Sequence, residues 1–442
     1  MRIKVLVLIC SISIWVTPIL FSQNNIKYFR KFSIDNRFYQ IELKYPVGNS
    51  FYNKMSCYQV KYDEKNRVHT IAFLEQGKLA INNIGFTKFA IEYTDSLEKR
   101  SYFDKQGKPT FNRDGIHSYS LKKNKNNYPV QLINYDKTGE ISKDNSGVSI
   151  YQFTLDEKDR IIKVNFLNSV SDSIVDVNGE FYKTFQWKED KTTYIIEISY
   201  FDKSNHLIEN SNGIAISHLK FDKINKELSG QSTYGADKTL KVSKQYNAAR
   251  ISSKYDMNGN EIERRFYGID GKLKDANQGY SMIRQKYNIF GRVTEQRVFG
   301  SDEKLISGTN KAFIRNGFAI IKYEYDQKGN NSRVSYYESD DKLMQKTDKF
   351  AIKVYTYDDD NRKTTESLYD ANNQLILREN GCITNWKYDN FDNIVEERHL
   401  GQDNKLKESK KGIAIIRWNY DTENNQQKTK YFDSNERLIF EN

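Results

Sequence analysis

Hydrophobic and polar residues alternate with a period of two through most of this chain. In "IAIIRWNY", Ala414, Ile416, Trp418 and Tyr420 fall on one side and Ile413, Ile415, Arg417 and Asn419 on the other. Period two with one mostly apolar side predicts a half-buried β-strand. "FAIIKYEY" (Phe318 to Tyr325) repeats the arrangement with Ala319, Ile321, Tyr323 and Tyr325. Such runs end in Tyr-Asp followed closely by Gly or Asn, as in "YDMNGN" and "YDQKGN". An Asp oxygen accepts hydrogen bonds from backbone N–H groups just ahead, and Gly or Asn tolerates positive φ. Each run therefore predicts a tight hairpin connection into a second strand of about eight residues.

The pattern recurs at a fixed interval. A residue that is usually Leu or Ile closes a second turn at Leu79, Pro109, Ile141, Ile174, Leu207, Leu240, Leu273, Leu305, Leu343, Leu375, Leu406 and Leu438. These positions number the copies 1 to 12. Their eleven intervals span 359 residues, about 32.6 each, and all but one lie between 30 and 33. The exception is 38, between Leu305 and Leu343, where "SGTNKAFIRNG" is inserted. A glycine follows the closing residue by six positions at Gly85, Gly115, Gly147, Gly213, Gly279, Gly381 and Gly412, and by five at Gly179. Tyr-Asp pairs at Tyr62, Tyr255, Tyr325, Tyr357, Tyr388 and Tyr420 supply a third anchor in the same frame. A lone hairpin is marginal in water, and copies become stable by pairing with their neighbours. The expected fold is all-β, a tandem array of about twelve antiparallel β-hairpin repeats over residues 57–442, extended or curled. Residues 23–56 hold no clear copy and are expected to cap the first exposed edge.

Composition agrees with strands. The chain has 31 Tyr and 25 Phe in 442 residues but only 4 Pro, which suits pleated surfaces and argues against disorder. At the start, Arg2 and Lys4 precede the apolar run Val5 to Phe21, and Ser22 is a small residue at the polar boundary. Residues 1–22 read as a signal peptide, with a retained membrane anchor as the alternative. No later segment is apolar enough to span a membrane, so export to the periplasm, the outer membrane or the medium is expected. The net charge of +11 comes from Lys and Arg spread evenly among Asp and Glu, the solvated face of a sheet rather than a nucleic-acid patch.

No catalytic, cofactor-binding or metal-binding residue is assigned. The five His residues, His69, His117, His206, His218 and His399, fall in different copies without metal spacing. "DDDNRKTTE" sets Arg362 where a calcium loop needs a ligand, and "DMNGNEIE" ends too early, so these Asp are expected to cap turns. Cys57 and Cys382, left once Cys10 departs with the signal, read as small buried residues. The one recurring recognition chemistry is aromatic: Tyr323, Tyr355 and Trp418 make a ladder that either packs between copies or binds an extended ligand.

The units "YDMNGN", "YDQKGN", "YFDKQGK" and "YFDSNERL" resemble the Tyr-Asp (YD) repeats of the RHS family over most of residues 60–442. The arm of about twenty residues from Leu400 to Tyr420 is similar to the RHS spacing, although here it alternates with one of about twelve. The resemblance implies long β-sheet strips that can curl into a hollow shell, and it transfers no catalytic residue. Three functions fit these observations: a non-enzymatic scaffold for protein partners in the bacterial envelope, a polysaccharide-binding repeat protein, and an enzyme with a site assembled from several copies. The first is the leading expectation, with no cofactor and a binding surface still to be located.

Overall fold

The Tyr-Asp turns form on the hydrogen bonds their residue types dictate. Asp358 Oδ1 accepts the backbone N–H groups of Asp360 and Arg362, both at 2.9 Å. Asp389 Oδ1 does the same for Phe391 (2.8 Å) and Asn393 (3.0 Å). The residue that turns the chain has positive φ: Asn361 at 62°, Asp392 at 68°, Gly259 at 75° and Gly329 at 87°. These are the residue types that enter the left-handed region at least cost.

The computed structural model describes residues 26–34, 39–306, 318–344, 350–376, 378–421 and 426–442. The expected signal peptide at 1–22 and the inserted stretch 307–317 lie outside the described residues. Within them, twelve hairpins follow one another, from Ser56–Tyr62 with Val68–Glu75 in copy 1 to Ile415–Tyr420 with Gln426–Phe432 in copy 12. Every hairpin pairs antiparallel with the next, giving one sheet of 28 strands in chain order through the copies. Ahead of copy 1 lie β1 (Ile26–Ile34) and β2 (Ile41–Val47). Strand β1 pairs on one side with β2 and on the other with Ser56–Tyr62, so this segment occupies the first edge of the array. The sheet stays open, its last strand being Leu438–Glu441.

Ten of the twelve hairpins hold a register shift near the end of the first strand, as between Lys254 and Tyr255 or Lys387 and Tyr388. A β-bulge of this kind leaves one residue of the partner strand unpaired and sharpens the local twist. The second turn closes as expected, by single bridges such as Tyr369 to Leu375 and Leu400 to Leu406.

The segment from the closing residue to the next copy is more than a link. It carries a third turn, capped in copies 1 to 5 by Asn or Asp three residues before the recurring glycine. Asp144 Oδ1 accepts from Ser146 (2.9 Å) and Val148 (3.1 Å), and Asp176 Oδ1 from Asn178 (2.8 Å) and Glu180 (2.9 Å). Third turns hydrogen-bond to one another along the array: Arg113 N to Ile84 O (2.9 Å), Asn145 N to Asp114 O (2.8 Å), Val177 N to Ser146 O (3.0 Å) and Lys244 N to Asn212 O (3.0 Å). The backbone of each copy thus templates its neighbour outside the sheet as well as within it.

Burial corrects the two-sided reading of the strands. Ile413, Ala414 and Ile415 are 9%, 0% and 0% exposed, so the start of the strand is buried on both faces. In its second half Ile416, Arg417, Trp418 and Tyr420 are half-buried and only Asn419 is exposed. Phe318, Ala319, Ile320 and Ile321 are likewise all buried. The largest core lies under copies 1 to 4, around Val60, Ile71, Phe89, Leu121 and Phe166, and later copies hold smaller clusters.

The sheet coils. Tyr45 Oη donates to Glu227 Oε1 at 3.1 Å, and Lys31 Nζ pairs with the same oxygen at 2.9 Å. Arg30 donates to the carbonyl of Ile289 (3.1 Å), Gln76 to Asn330 (3.2 Å) and Lys78 to Asp360 (3.2 Å), while Lys105 pairs with Asp392. Copy 1 therefore meets copies 9 and 10, and copy 2 meets copy 11. The array returns on itself after eight or nine copies, with the first turns of late copies lying against the N-terminal part.

Candidate binding surfaces

The tyrosines divide into two sets. Those of Tyr-Asp hold the array together. Tyr255 Oη donates to Leu228 O (3.1 Å), Tyr325 to Val293 O (2.6 Å), Tyr357 to Asn331 O (2.8 Å), Tyr388 to Lys363 O (2.7 Å) and Tyr420 to Ile394 O (2.9 Å), and Tyr93 and Tyr287, followed by Thr and Asn, make the same bond to Val68 O and Glu261 O. Each acceptor lies one copy earlier, at the start of the second strand beside its turn. In copy 5, which lacks Tyr-Asp, Trp187 Nε1 donates to Ile161 O at 2.9 Å and fills the same role. Burial, with the charge of Asp326, pushes the Tyr357 hydroxyl up to about 12, which keeps it a donor.

The second set sits two residues earlier on the same face: Tyr323, Tyr355, Trp386 and Trp418, one per copy from 9 to 12. Trp386 completes the ladder that the sequence suggested from Tyr323, Tyr355 and Trp418. All four are half-buried. Tyr323 and Tyr355 pack on the cluster of Phe318, Ile321 and Val334. Tyr323 Oη donates to Gln296 Oε1 (2.8 Å), and Trp386 Nε1 to Glu397 Oε2 (2.8 Å). Lys363 Nζ lies 4.1 Å from the centre of the Tyr355 ring and 5.7 Å from that of Trp386. Burial lowers its pKa, against the opposing charge of Glu366. Since each copy adds two strands, successive rings stand about 10 Å apart.

The opposite face carries ion pairs. Glu396 is held by Arg398 (2.7 Å), Lys387 (2.8 Å) and, from the next copy, Arg417 (2.7 Å). Glu263 repeats this with Arg265, Lys254 and Arg284, and Glu295 with Arg297 and Lys286. These sites are saturated by their own chain.

The remaining sequence candidates are accounted for locally. The Asp of the turns accept backbone N–H groups, and no cluster of three or more His, Cys, Asp or Glu residues suited to a metal occurs among the described residues. Cys57 and Cys382 are free and buried. His218 pairs with Glu197 (3.0 Å) and His399 with Glu397 (3.1 Å), in separate copies. Among the described residues no helix is long and apolar enough to cross a membrane.

No family model matches this chain, and no curated protein matches it. Among solved structures, a chain of a mutant Tc holotoxin pore from Photorhabdus luminescens is similar at 11% identity, over 89% of this chain and 27% of that one, with a TM-score of 0.14. This chain thus spans about a quarter of that chain's length, and a likeness at that TM-score carries no argument.

Proposed function

We propose that this protein is an exported, non-enzymatic repeat scaffold of the bacterial envelope, presenting the ladder face of copies 9 to 12 to an extended protein partner. The observation that supports this reading is the placement of Tyr323, Tyr355, Trp386 and Trp418 at one register position in four consecutive copies, each half-buried. Aromatic rings held rigid on a sheet supply contact area at low entropic cost, which is what binding hot spots use. The opposite face has its charges paired already, which favours the ladder face. The short Tyr-Asp units also resemble RHS repeats, and scaffolding is consistent with that resemblance.

A polysaccharide partner is the second reading, favoured by the two tryptophans, whose flat faces suit sugar rings. Affinity capture from native envelope, with residues 23–442 as bait and crosslinking before lysis, tests both. The proposal expects one protein crosslinked through copies 9 to 12, and loss of that crosslink in a Trp386→Ala, Trp418→Ala variant. Retention of polysaccharide alone replaces the first reading by the second.

A further inference from the structure

Copies 2 to 4, away from the ladder, enclose a cavity of about 500 Å³ between their third turns and the residues that lead into β2. Its walls are aromatic, with Tyr39, Tyr102, Tyr119 and Tyr151 among them. Three acceptors stand among its polar groups. Asp114 is exposed at the open side, and Asp144 lies deeper, half-buried. The third is Asn134, only 1% exposed, whose Oδ1 has no hydrogen-bond partner. The amide nitrogen of Asn134 is used, donating to Val148 O at 3.2 Å, so the oxygen is the group left over. A buried acceptor without a donor is costly, and that cost is recovered when a ligand supplies the donor.

Neither carboxylate has a cationic side chain against it among the described residues. Asp144 accepts from the Tyr151 hydroxyl and from Asn134 (3.5 Å), and Asp114 from Asn112 Nδ2 (3.2 Å). Arg100, which donates to Tyr119 Oη at 3.0 Å and to Tyr39 O at 3.1 Å, is paired with Glu98 at 2.5 Å, a carboxylate it shares with Lys123 (2.6 Å), rather than with Asp114 or Asp144. Partial desolvation, then the charge of Asp144, raise the Asp114 pKa against the hydrogen bond from Asn112. Hydrated metal ions want a shell of oxygens rather than aromatic walls, whereas an ammonium is attracted by ring faces and by carboxylates alike.

We infer that this cavity binds an organic cation bearing N–H donors, a primary ammonium, which satisfies Asn134 Oδ1 and sits between Asp114 and Asp144 within the tyrosine walls. Such a group is supplied by a free diamine or by a lysine side chain of a partner.

Titration of the full chain, followed by calorimetry and tyrosine fluorescence, tests the inference. The probes are 1,4-diaminobutane and Nα-acetyl-lysine methylamide, with tetramethylammonium chloride and calcium chloride as controls at matched ionic strength. The inference expects saturable binding of at least one of the two amines. Preference for the diamine assigns a small-molecule site, and preference for the lysine derivative a peptide site. Asp114→Asn is expected to weaken binding about ten- to a hundredfold, the worth of one charge-assisted hydrogen bond. Equal response to tetramethylammonium overturns the inference, because that ion has no N–H to give Asn134. Response to calcium alone, or no saturable response in the unaltered chain, overturns it as well.

Discussion

Tyr388 donates its phenolic hydrogen to the carbonyl of Lys363, 2.7 Å away and one copy earlier. The same bond recurs from Tyr255, Tyr325, Tyr357 and Tyr420 to their preceding copies. The tyrosine of Tyr-Asp therefore couples copies, while the aspartate shapes the turn within one.

Replacing that tyrosine by phenylalanine keeps the ring and removes the bond. Tyr388→Phe is expected to cost about 1 kcal/mol, more if the Lys363 carbonyl stays dry. Tyr355→Phe, in the ladder set, is expected to cost less, because its hydroxyl meets the Glu366 carboxylate of its own hairpin rather than a backbone carbonyl of the preceding copy. Urea unfolding of the two variants checks this, and equal losses would remove the distinction between the sets.

Gly259 answers two demands. Its φ is +75°, and a Cβ there would stand 2.2 Å from Cε2 of Tyr45, a residue of the N-terminal part against which copy 7 packs. Gly107 has a similar φ of +79° with nothing within 4 Å. Gly107→Val should cost about 1–2 kcal/mol from backbone strain alone. Gly259→Val should cost about twice that, since Tyr45 must move and its hydrogen bond to Glu227 is put at risk. Thermal melts of the two variants compare them directly, and equal costs would deny the contact with Tyr45.

Acid should loosen the ion-pair face. Hydrogen bonds from Arg297, then Lys286, hold the Glu295 carboxyl at about 2 despite burial. Glu396 stands at about 2 as well, the upward push of burial being outweighed by Arg398, Lys387 and Arg417. An unfolded Glu titrates near about 4.3, so each folded value is depressed. Their contribution is then fully present above about pH 4.3 and is lost as pH falls toward about 2. The melting temperature should drop across that window, and Glu396→Gln should flatten the drop. A profile unchanged by Glu396→Gln would mean the pair contributes nothing net.

Much of the fold was legible in the sequence because its determinants are local. Alternation marked the strands, and Asp with Gly or Asn at fixed offsets marked the turns, so the twelve hairpins could be counted. The third turn was half-legible: its glycines were visible as an anchor, and Asn82, Asn112, Asp144, Asp176 and Asn210, each three residues before one, were the unused signal. Burial of both faces at Ile413 to Ile415 could not be read, since alternation says nothing of what covers the second face. The coil was equally hidden. Its contacts, such as Lys31 with Glu227, join residues far apart in the chain, and no local pattern encodes them. The cavity by Asn134 depends on three copies meeting, which is likewise beyond any single copy.

The central claim is that the copies form one coiled sheet rather than a straight strip. Spin labels at Lys105→Cys and Asp392→Cys, in a chain also carrying Cys57→Ala and Cys382→Ala, measure it by pulsed electron paramagnetic resonance. In the coil these two side chains pair directly, so the labels should lie within contact range of each other. A straight strip would set copies 2 and 11 eighteen strands apart, roughly 85 Å at the usual strand spacing. A short, narrow distance distribution is the predicted result, and a distance near the length of the strip would contradict the account.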